Sequence, residues 1–518
     1  MLLQDILRRS AKFYRHQTAL VCGPQRFTYE EFWKRVNRLA NGLANLGTCF
    51  GDRLAVLLPN GHRFAELYLA VFQIGAVLVP LNVRLSSREL VALLEHCEAI
   101  GLVSEITFRE TLQAMEAVFP RLKFRIGSGL KAEGFLDYEA LIDASPAEAG
   151  RIDFEETEVA IQMYTSGTTG APKGVLLTHR NILANTLTGI GERKFSSRDV
   201  FLNASPMYHI ADFEYFFQIL SVGGTNVFLE RFDPLRFLDA VQRERVTCTW
   251  LVPTMIRALL EVPYLERYDL RSFRSLYYGG ACLSPELFRR ARDAFSCDFA
   301  LGFGLTEASP LISLLRPEDH RGDEAAVERR LRSCGREAFN VEVRVVDDHD
   351  REVGPGQPGE IVARGANVMK GYLKMEEETR KTLRGGWLHT GDVARMDEEG
   401  YIYLVDRKKD VIKSGGENIY SREVEELIAT HPSVEEVAVI GVPDDQWGEA
   451  VKAIVVLRKG KQCTEREILD HCRGRLADFK KPKSVTFAPA LPKNIIGKVL
   501  KTALREMYEK ANGEAHGF

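Results

Sequence analysis

No C-x-x-C pair, no H-E-x-x-H spacing and no G-x-S-x-G elbow occurs anywhere in the 518 residues. These gaps argue against a zinc site of the usual spacings and against a serine hydrolase of the α/β type. A long apolar run is missing as well. The greasiest stretch, Leu67 to Leu81, is broken by Gln73, Gly75 and Pro80 and is too short to span a bilayer. Met1 to Arg15 sets Leu2, Leu3, Ile6 and Leu7 among Arg8, Arg9, Lys12 and Arg15, an amphipathic-helix pattern without the apolar run of a signal peptide. Neither sign of charge dominates: 69 Lys and Arg against 72 Asp and Glu leave a net −3, which gives no electrostatic reason to expect nucleic acid as a partner. The nine cysteines are odd in number and scattered, which fits reduced thiols in the cytoplasm better than a disulfide framework.

What is present is enough apolar material for large cores, in a length that suggests about three or four folding units. Leu54–Leu58 is a short apolar run, Pro59-Asn60-Gly61 a turn, Phe64 to Ile74 has helical spacing, and Ala76–Leu81 is β-prone. Such alternation predicts a βαβ unit with parallel strands. It recurs at Val200–Leu202, at Val222–Leu229 followed by Pro234–Arg243, and at Val246–Leu251 followed by Thr254–Leu260. From about 340 the texture changes to short alternating strands between Gly, Asp and Pro turns. Beyond 410 the order helix, strand, strand, helix, strand predicts a compact α+β unit. The charged run Asp406-Arg407-Lys408-Lys409-Asp410 stands at that junction and reads either as a solvated turn or as a hinge.

Between Tyr164 and Val175 the chain reads Y-T-S-G-T-T-G-A-P-K-G-V. Glycines let backbone N–H groups approach an anion, the hydroxyls of Thr165, Ser166, Thr168 and Thr169 add donors, and Lys173 adds charge, so the segment reads as a phosphate loop. It is not the Walker form, because Pro172 separates glycine from Lys173 and Gly174 follows. The bland alternative, a flexible linker, does not explain Pro-Lys-Gly followed by the strand-like Val175-Leu176-Leu177. A second glycine-rich stretch, Ile126 to Ala132, imitates a dinucleotide fingerprint but leads into no convincing helix, and it reads as a turn.

With this loop the sequence resembles the adenylate-forming enzymes: acyl-CoA synthetases, peptide-synthetase adenylation domains and beetle luciferases. The resemblance continues through Gly302-Phe303-Gly304-Leu305-Thr306-Glu307, His389-Thr390-Gly391-Asp392, the 406–410 run, Gly415-Gly416-Glu417-Asn418 and Pro492-Lys493-Asn494-Ile495-Ile496-Gly497-Lys498. It implies an α/β fold. A large N-terminal domain (1–405) would hold parallel α/β sheets and a small β subdomain at about 340–405. A hinge at 406–409 and a small mobile α+β C-terminal domain (410–518) would follow. It also implies an AMP-forming acyl-CoA synthetase that uses ATP, Mg²⁺ and coenzyme A to activate a carboxylic acid. Thioester formation with free coenzyme A is the expected second step, with loading of a carrier protein as the alternative. Peripheral membrane contact and a homodimer both stay open.

The resemblance implies a role for each motif. Thr165, Ser166, Gly167, Thr168, Thr169, Gly170 and Lys173 would hold the β- and γ-phosphates. Thr306 would contact the α-phosphate, and Glu307 would hold Mg²⁺. Gly279, Gly280 and Ala281 would wall the nucleotide, Phe303, where the family usually has Tyr, would stack on adenine, Asp392 would take the ribose hydroxyls, and Arg407 would be a second contact to ribose or phosphate. Lys498 would bridge the attacking carboxylate and the α-phosphate. Lys409 would serve as the hinge, with Lys413, Gly415 and Gly416 beside the coenzyme A arm.

For the acid itself the resemblance points to Tyr208–Phe217, Val252–Met255, Tyr277–Ala281 and Gly302–Leu311, with His209, Phe213, Gly304 and Pro310 in the acyl pocket. These stretches are rich in Phe, Tyr, Met and Leu, which favours a medium- or long-chain fatty acid or an aryl acid. No Lys or Arg lies between Phe201 and Leu229, which disfavours a short dicarboxylate. Asp212 and Glu214 are two apart on an expected helix, so at least one should be solvated. One pointing inward would suit a cationic acid of the betaine or carnitine kind.

Overall fold

Runs of Val, Leu, Ala and Ile too short for helices make the strands, and periodic apolar stretches between them make the helices that cover the strands. The computed structural model describes residues 1–129, 133–148, 150, 152–165, 172–415, 417–444, 446–493 and 499–515, without the side chains beyond 508. Met1–Val343 with Ala363–His389 form one unit, and Arg344–Val362 with Thr390–Phe518 form the other. Residues 344–362 and 390–405, expected with the N-terminal domain, thus group with the C-terminal residues.

The first unit holds two large sheets. In the nine-stranded sheet the strands Asp298–Gly304, Ser275–Gly279, Cys248–Leu251, Val200–Asn203, Thr225–Phe228 and Thr18–Cys22 are adjacent and parallel. Leu311–Leu315 and Gln25–Thr28 pair antiparallel at either side of that block. The eight-stranded sheet runs Gly371–Tyr372, Lys173–Thr178, Val159–Thr165, Val77–Pro80, Arg53–Leu57, Gly101–Glu105, Phe124–Ser128 and Leu136–Asp137. Arg53–Leu57 and Val77–Pro80 are parallel and joined by the helix His62–Gln73, the expected βαβ unit.

The helices His62–Gln73 and Ile210–Val222 are buried on almost every face, as their near-continuous apolar sequence requires. With Gln4–Phe13 and Tyr29–Asn45 they share one apolar core, in which Tyr68 meets Phe213 edge-on at 4.9 Å between centroids. Tyr29–Asn45 and His179–Arg193 begin with reciprocal caps, Thr28 with Glu31 and Thr178 with Asn181, which satisfy orphan N–H groups and set where each helix starts.

Most residues of a four-stranded sheet of Val341–Val346, Pro358–Gly365, Leu388–Met396 and Ile402–Arg407 fall in the second unit. A further sheet is built on the long hairpin of Val434–Asp444 and Gly448–Leu457, against which the helices Ser421–Ala429 and Glu465–Cys472 bury Val424, Ile428, Ile468 and Cys472. The decoy stretch ends the strand Phe124–Ser128 in Gly129 at φ +62, and 130–132 lie outside the described residues. Among the described residues, which include all nine cysteines, no disulfide is formed. Among the described residues no helix is long and apolar enough to cross a membrane.

Candidate active site

Thr165 and Lys173 face each other in the antiparallel ladder of Val159–Thr165 and Lys173–Thr178, so the two ends of the proposed phosphate loop are neighbours. Ser166, Gly167, Thr168, Thr169 and Gly170 lie outside the described residues. The Lys173 side chain is buried. Its Nζ pairs with the carboxylate of Glu378 and stands 4.9 Å from the centroid of the Tyr372 ring. The Tyr372 hydroxyl in turn donates to Glu307 Oε1 at 2.9 Å. Burial, with the Glu307 carboxylate beside it, pushes the Tyr372 phenol well above its ordinary range. Lys173 and Glu307, which the sequence connects only through the family pattern, are therefore linked through one tyrosine.

Glu307 sits in the short 3₁₀ turn Thr306–Ala308, and the backbone around it is held from several sides. Met369 N–H donates to Glu307 O at 2.8 Å. Asn367 Nδ2 donates to Ala308 O at 2.8 Å and Leu311 O at 2.9 Å, and Asn185 Oδ1 accepts from Leu311 N at 3.1 Å. Among the described residues no group of three or more His, Cys, Asp or Glu gathers as a metal cluster. A single buried carboxylate with one oxygen anchored by a phenol still fits Mg²⁺, which takes one or two carboxylates and fills its remaining positions with phosphate oxygens and water. Glu307 would hold such an ion through Oε2.

Thr306 and its neighbours stand where parallel strands end, the usual place for a ligand in an open α/β sheet. Gly279 pairs with Gly302, and a Cβ on Gly279 would lie 3.0 Å from Gly302 O and 3.1 Å from Trp250 Nε1. Gly280 adopts φ +78 and Ala281 follows it. Phe303 is half-buried, and a Cβ on Gly304 would fall 1.7 Å from Pro310 O, so only glycine fits there. Leu305 N–H donates to that same Pro310 oxygen at 3.1 Å.

The acyl-side residues divide. His209 is the N-cap of Ile210–Val222, its Nδ1 accepting from Ala211 N at 3.3 Å. Burial pushes its pKa down to about 4, so the ring is neutral at physiological pH. Phe213 is buried and packs on Tyr68 and Phe217. The expectation that Asp212 or Glu214 would be solvated is overturned, for both are buried, at 1% and 4% exposure. The helix is covered all round, so opposite faces do not mean opposite environments. Glu214 is compensated by Arg193 at 3.1 Å, Asn185 at 2.8 Å and Gln218 at 3.1 Å. Burial pushes the Asp212 carboxyl far above the usual carboxylate range, because its charged form is poorly solvated there. Arg193 also lies over Tyr215, 4.4 Å from the ring centroid, so a buried cation does reach this region, from outside the window Phe201–Leu229.

In the second unit Asp392 and Arg407 are cross-strand partners, Arg407 Nε lying 2.7 Å from Asp392 Oδ1. Lys409 is exposed in the 3₁₀ segment Lys408–Asp410, and Lys413 is exposed in the strand Ile412–Ser414. Gly415 adopts φ +59, donates its N–H to Trp447 O at 2.8 Å, and has no room for a Cβ, which would stand 2.8 Å from the Trp447 ring. Gly416 and Lys498 lie outside the described residues. Tyr372, Glu378, Asn185, Asn367 and Arg193 escape a reading of the sequence. Only Gly371-Tyr372 beside a strand hints at a close backbone approach.

Comparison with known proteins gives the same picture. The family model described as AMP-binding enzyme matches residues 7–373, and the model for the AMP-binding enzyme C-terminal domain matches 423–498. A feruloyl-CoA synthase of Amycolatopsis sp is 41% identical over 501 residues, covering 96% of this chain and 98% of that one. The long-chain fatty acid–CoA ligase FadD13 of Mycobacterium tuberculosis is 35% identical, with 93% of each chain covered. The crystal structure of ATP-bound MatB from Rhodopseudomonas palustris superposes with a TM-score of 0.87 at 32% identity, over 98% of this chain and 99% of that one.

Proposed function

The chain belongs to the AMP-binding enzyme family, and from that premise we propose that it joins an aryl carboxylic acid of the hydroxycinnamate type to coenzyme A. ATP-dependent acyl-CoA formation, with AMP as the nucleotide product, is the reaction class of the chain. In the first half-reaction a carboxylate oxygen attacks the α-phosphorus of ATP, the new O–P bond forms and pyrophosphate leaves. In the second, the coenzyme A sulfur attacks the acyl carbonyl and AMP leaves with the electron pair of the broken C–O bond.

Two anions must meet in the first step, so the protein's part is positioning and charge neutralisation. We assign Lys173 and the 165–170 loop to the terminal phosphates, Thr306 to the α-phosphate, and Lys498 to the bridge between carboxylate and phosphorus. Phe303 and Gly279–Ala281 border the adenine, and Asp392 with Arg407 takes the ribose. His209, Gly304 and Pro310 shape the acyl pocket. Lys409 serves as hinge, and Lys413, Gly415 and Gly416 line the coenzyme A arm. Mg²⁺ on Glu307 would neutralise phosphate charge. Nine cysteines with no disulfide among the described residues support a cytoplasmic setting.

The observation that carries the reading is the chain Lys173–Tyr372–Glu307, in which the phosphate-loop cation and the metal carboxylate share one tyrosine. The aryl choice rests on the higher identity to a feruloyl-CoA synthase than to the fatty-acid ligase, and on the aromatic side chains Trp250 and Phe303 near the ends of the strands Cys248–Leu251 and Asp298–Gly304. A cationic acid loses one of its two expected counter-ions, since Arg193 pairs with Glu214.

The test is incubation with ATP, Mg²⁺, coenzyme A and a panel holding ferulate, cinnamate, benzoate, octanoate, palmitate and carnitine. AMP release that needs both acid and thiol, with kcat/KM highest for the arylpropenoic acids, is expected. ADP as product, or turnover without acid, refutes the reaction class; a preference for palmitate refutes the acid.

A further inference from the structure

Lys173 has to meet two demands. A buried ammonium without a counter-ion is costly, yet the same ammonium must be available when nucleotide phosphates arrive. Glu378 answers the first demand. It lies on the short helix Glu376–Thr382 and pairs directly with Lys173 Nζ, with about a third of its own side chain exposed.

The surroundings are built to hold this geometry. Tyr372 pairs with Val175 in the ladder, and Leu373 N–H donates to Gly174 O at 2.8 Å, so the tyrosine is in fixed register beside the lysine's own strand. The Thr379 hydroxyl accepts from Tyr372 N at 2.9 Å and donates to Met375 O at 2.9 Å, which ties the helix of Glu378 to the same strand. At Gly371 a Cβ would stand 2.7 Å from Thr379 Cγ2, so a side chain there would push the helix away. The face of the Tyr372 ring supports the ammonium from a second direction, and its hydroxyl holds Glu307.

We propose that Glu378 is the resting counter-ion of Lys173, displaced by the terminal phosphates of the nucleotide, and that Tyr372 is the positioning residue that keeps the ammonium and Glu307 in place during the exchange. The inference rests on the reading that Lys173 meets those phosphates. No bond is made or broken: one ion pair replaces another, and the carboxylate swings to solvent. When pyrophosphate leaves, Glu378 takes the lysine back, which assists product release.

The experiment titrates inorganic pyrophosphate with Mg²⁺ into the full chain by calorimetry, for the wild type, Glu378→Gln, Tyr372→Phe and Tyr372→Leu. Removal of the competing carboxylate is expected to tighten pyrophosphate binding about fivefold, the upper range for a partly exposed pair, and to lower KM for ATP by a similar factor. Tyr372→Phe keeps the ring and is expected to leave pyrophosphate binding within about twofold while raising the Mg²⁺ needed for half-maximal rate. Tyr372→Leu weakens both. Glu378→Gln binding equal to or weaker than wild type, in a protein with an unchanged unfolding midpoint, overturns the exchange. So does a Tyr372→Phe variant with unchanged Mg²⁺ dependence, for the tyrosine's part. Wild-type ATP–pyrophosphate isotope exchange is run alongside. Its absence with every acid defeats the ligase reading, whereas its presence with an unaltered Glu378→Gln affinity defeats only this inference.

Discussion

Arg193 NH2 and Glu214 Oε1 lie 3.1 Å apart with both side chains almost fully out of solvent, and the guanidinium spreads over the ring of Tyr215. Gln218 accepts from the other Arg193 nitrogen at 3.0 Å, and Asn185 joins Glu214 to the backbone of Leu311. A charge pair so deep stabilises little by itself, but breaking it leaves the survivor stranded. Glu214→Ala is therefore expected to cost about 3–5 kcal/mol of stability. Chemical denaturation should show it. Glu214→Ala combined with Arg193→Met should recover part of the loss, and equal midpoints for single and double variants would contradict the pairing.

Burial lowers the pKa of His209 and His320 to about 4 and of His62 and His179 to about 3. Two contacts orient the His320 ring, one nitrogen meeting the Tyr278 hydroxyl at 2.9 Å and the other Arg316 O at 2.8 Å, and burial lowers its pKa although the Arg316 carbonyl opposes the shift. Because the unfolded rings protonate near 6.5 and the folded ones only well below, the unfolded state binds more protons in between. Stability is then complete above about pH 6.5 and falls as the pH drops toward about 4. Thermal unfolding midpoints measured from pH 7.5 down to 5 should decline, and His320→Gln should flatten the slope. A midpoint that rises on acidification would reverse the sign.

Lys498 is predicted to act in one half-reaction only. Lys498→Ala should lower the rate of acyl-adenylate formation by about 10²–10³, the usual loss for one transition-state charge contact. Thioester formation from supplied acyl-adenylate should stay near wild type. Rapid-quench measurement of each half-reaction separates the two, and equal losses would end the division of labour.

How far the sequence could be read follows from what kind of contact carries each feature. Parallel strands such as Leu54–Leu57 and Val200–Asn203 are legible because burial on both faces writes a continuous apolar run. The loop motif of 164–175 stands out in the sequence because its residues are consecutive. Tyr372 with Glu307 and Lys173 with Glu378 join residues 65 and 205 positions apart, and no local pattern marks such pairs. Asp212 and Glu214 mislead for a different reason. Helical spacing distinguishes faces only when one face meets water, and Ile210–Val222 has almost no such face.

The register of Thr165 opposite Lys173 constrains how this protein can change through evolution. Side chains along a strand alternate between the two surfaces of the sheet, so deleting a single residue from Lys173–Thr178 would turn the ammonium to the opposite surface, away from tyrosine and carboxylates alike. Descendants of this sequence can exchange side chains at the strand ends, but the spacing of that ladder is not theirs to alter.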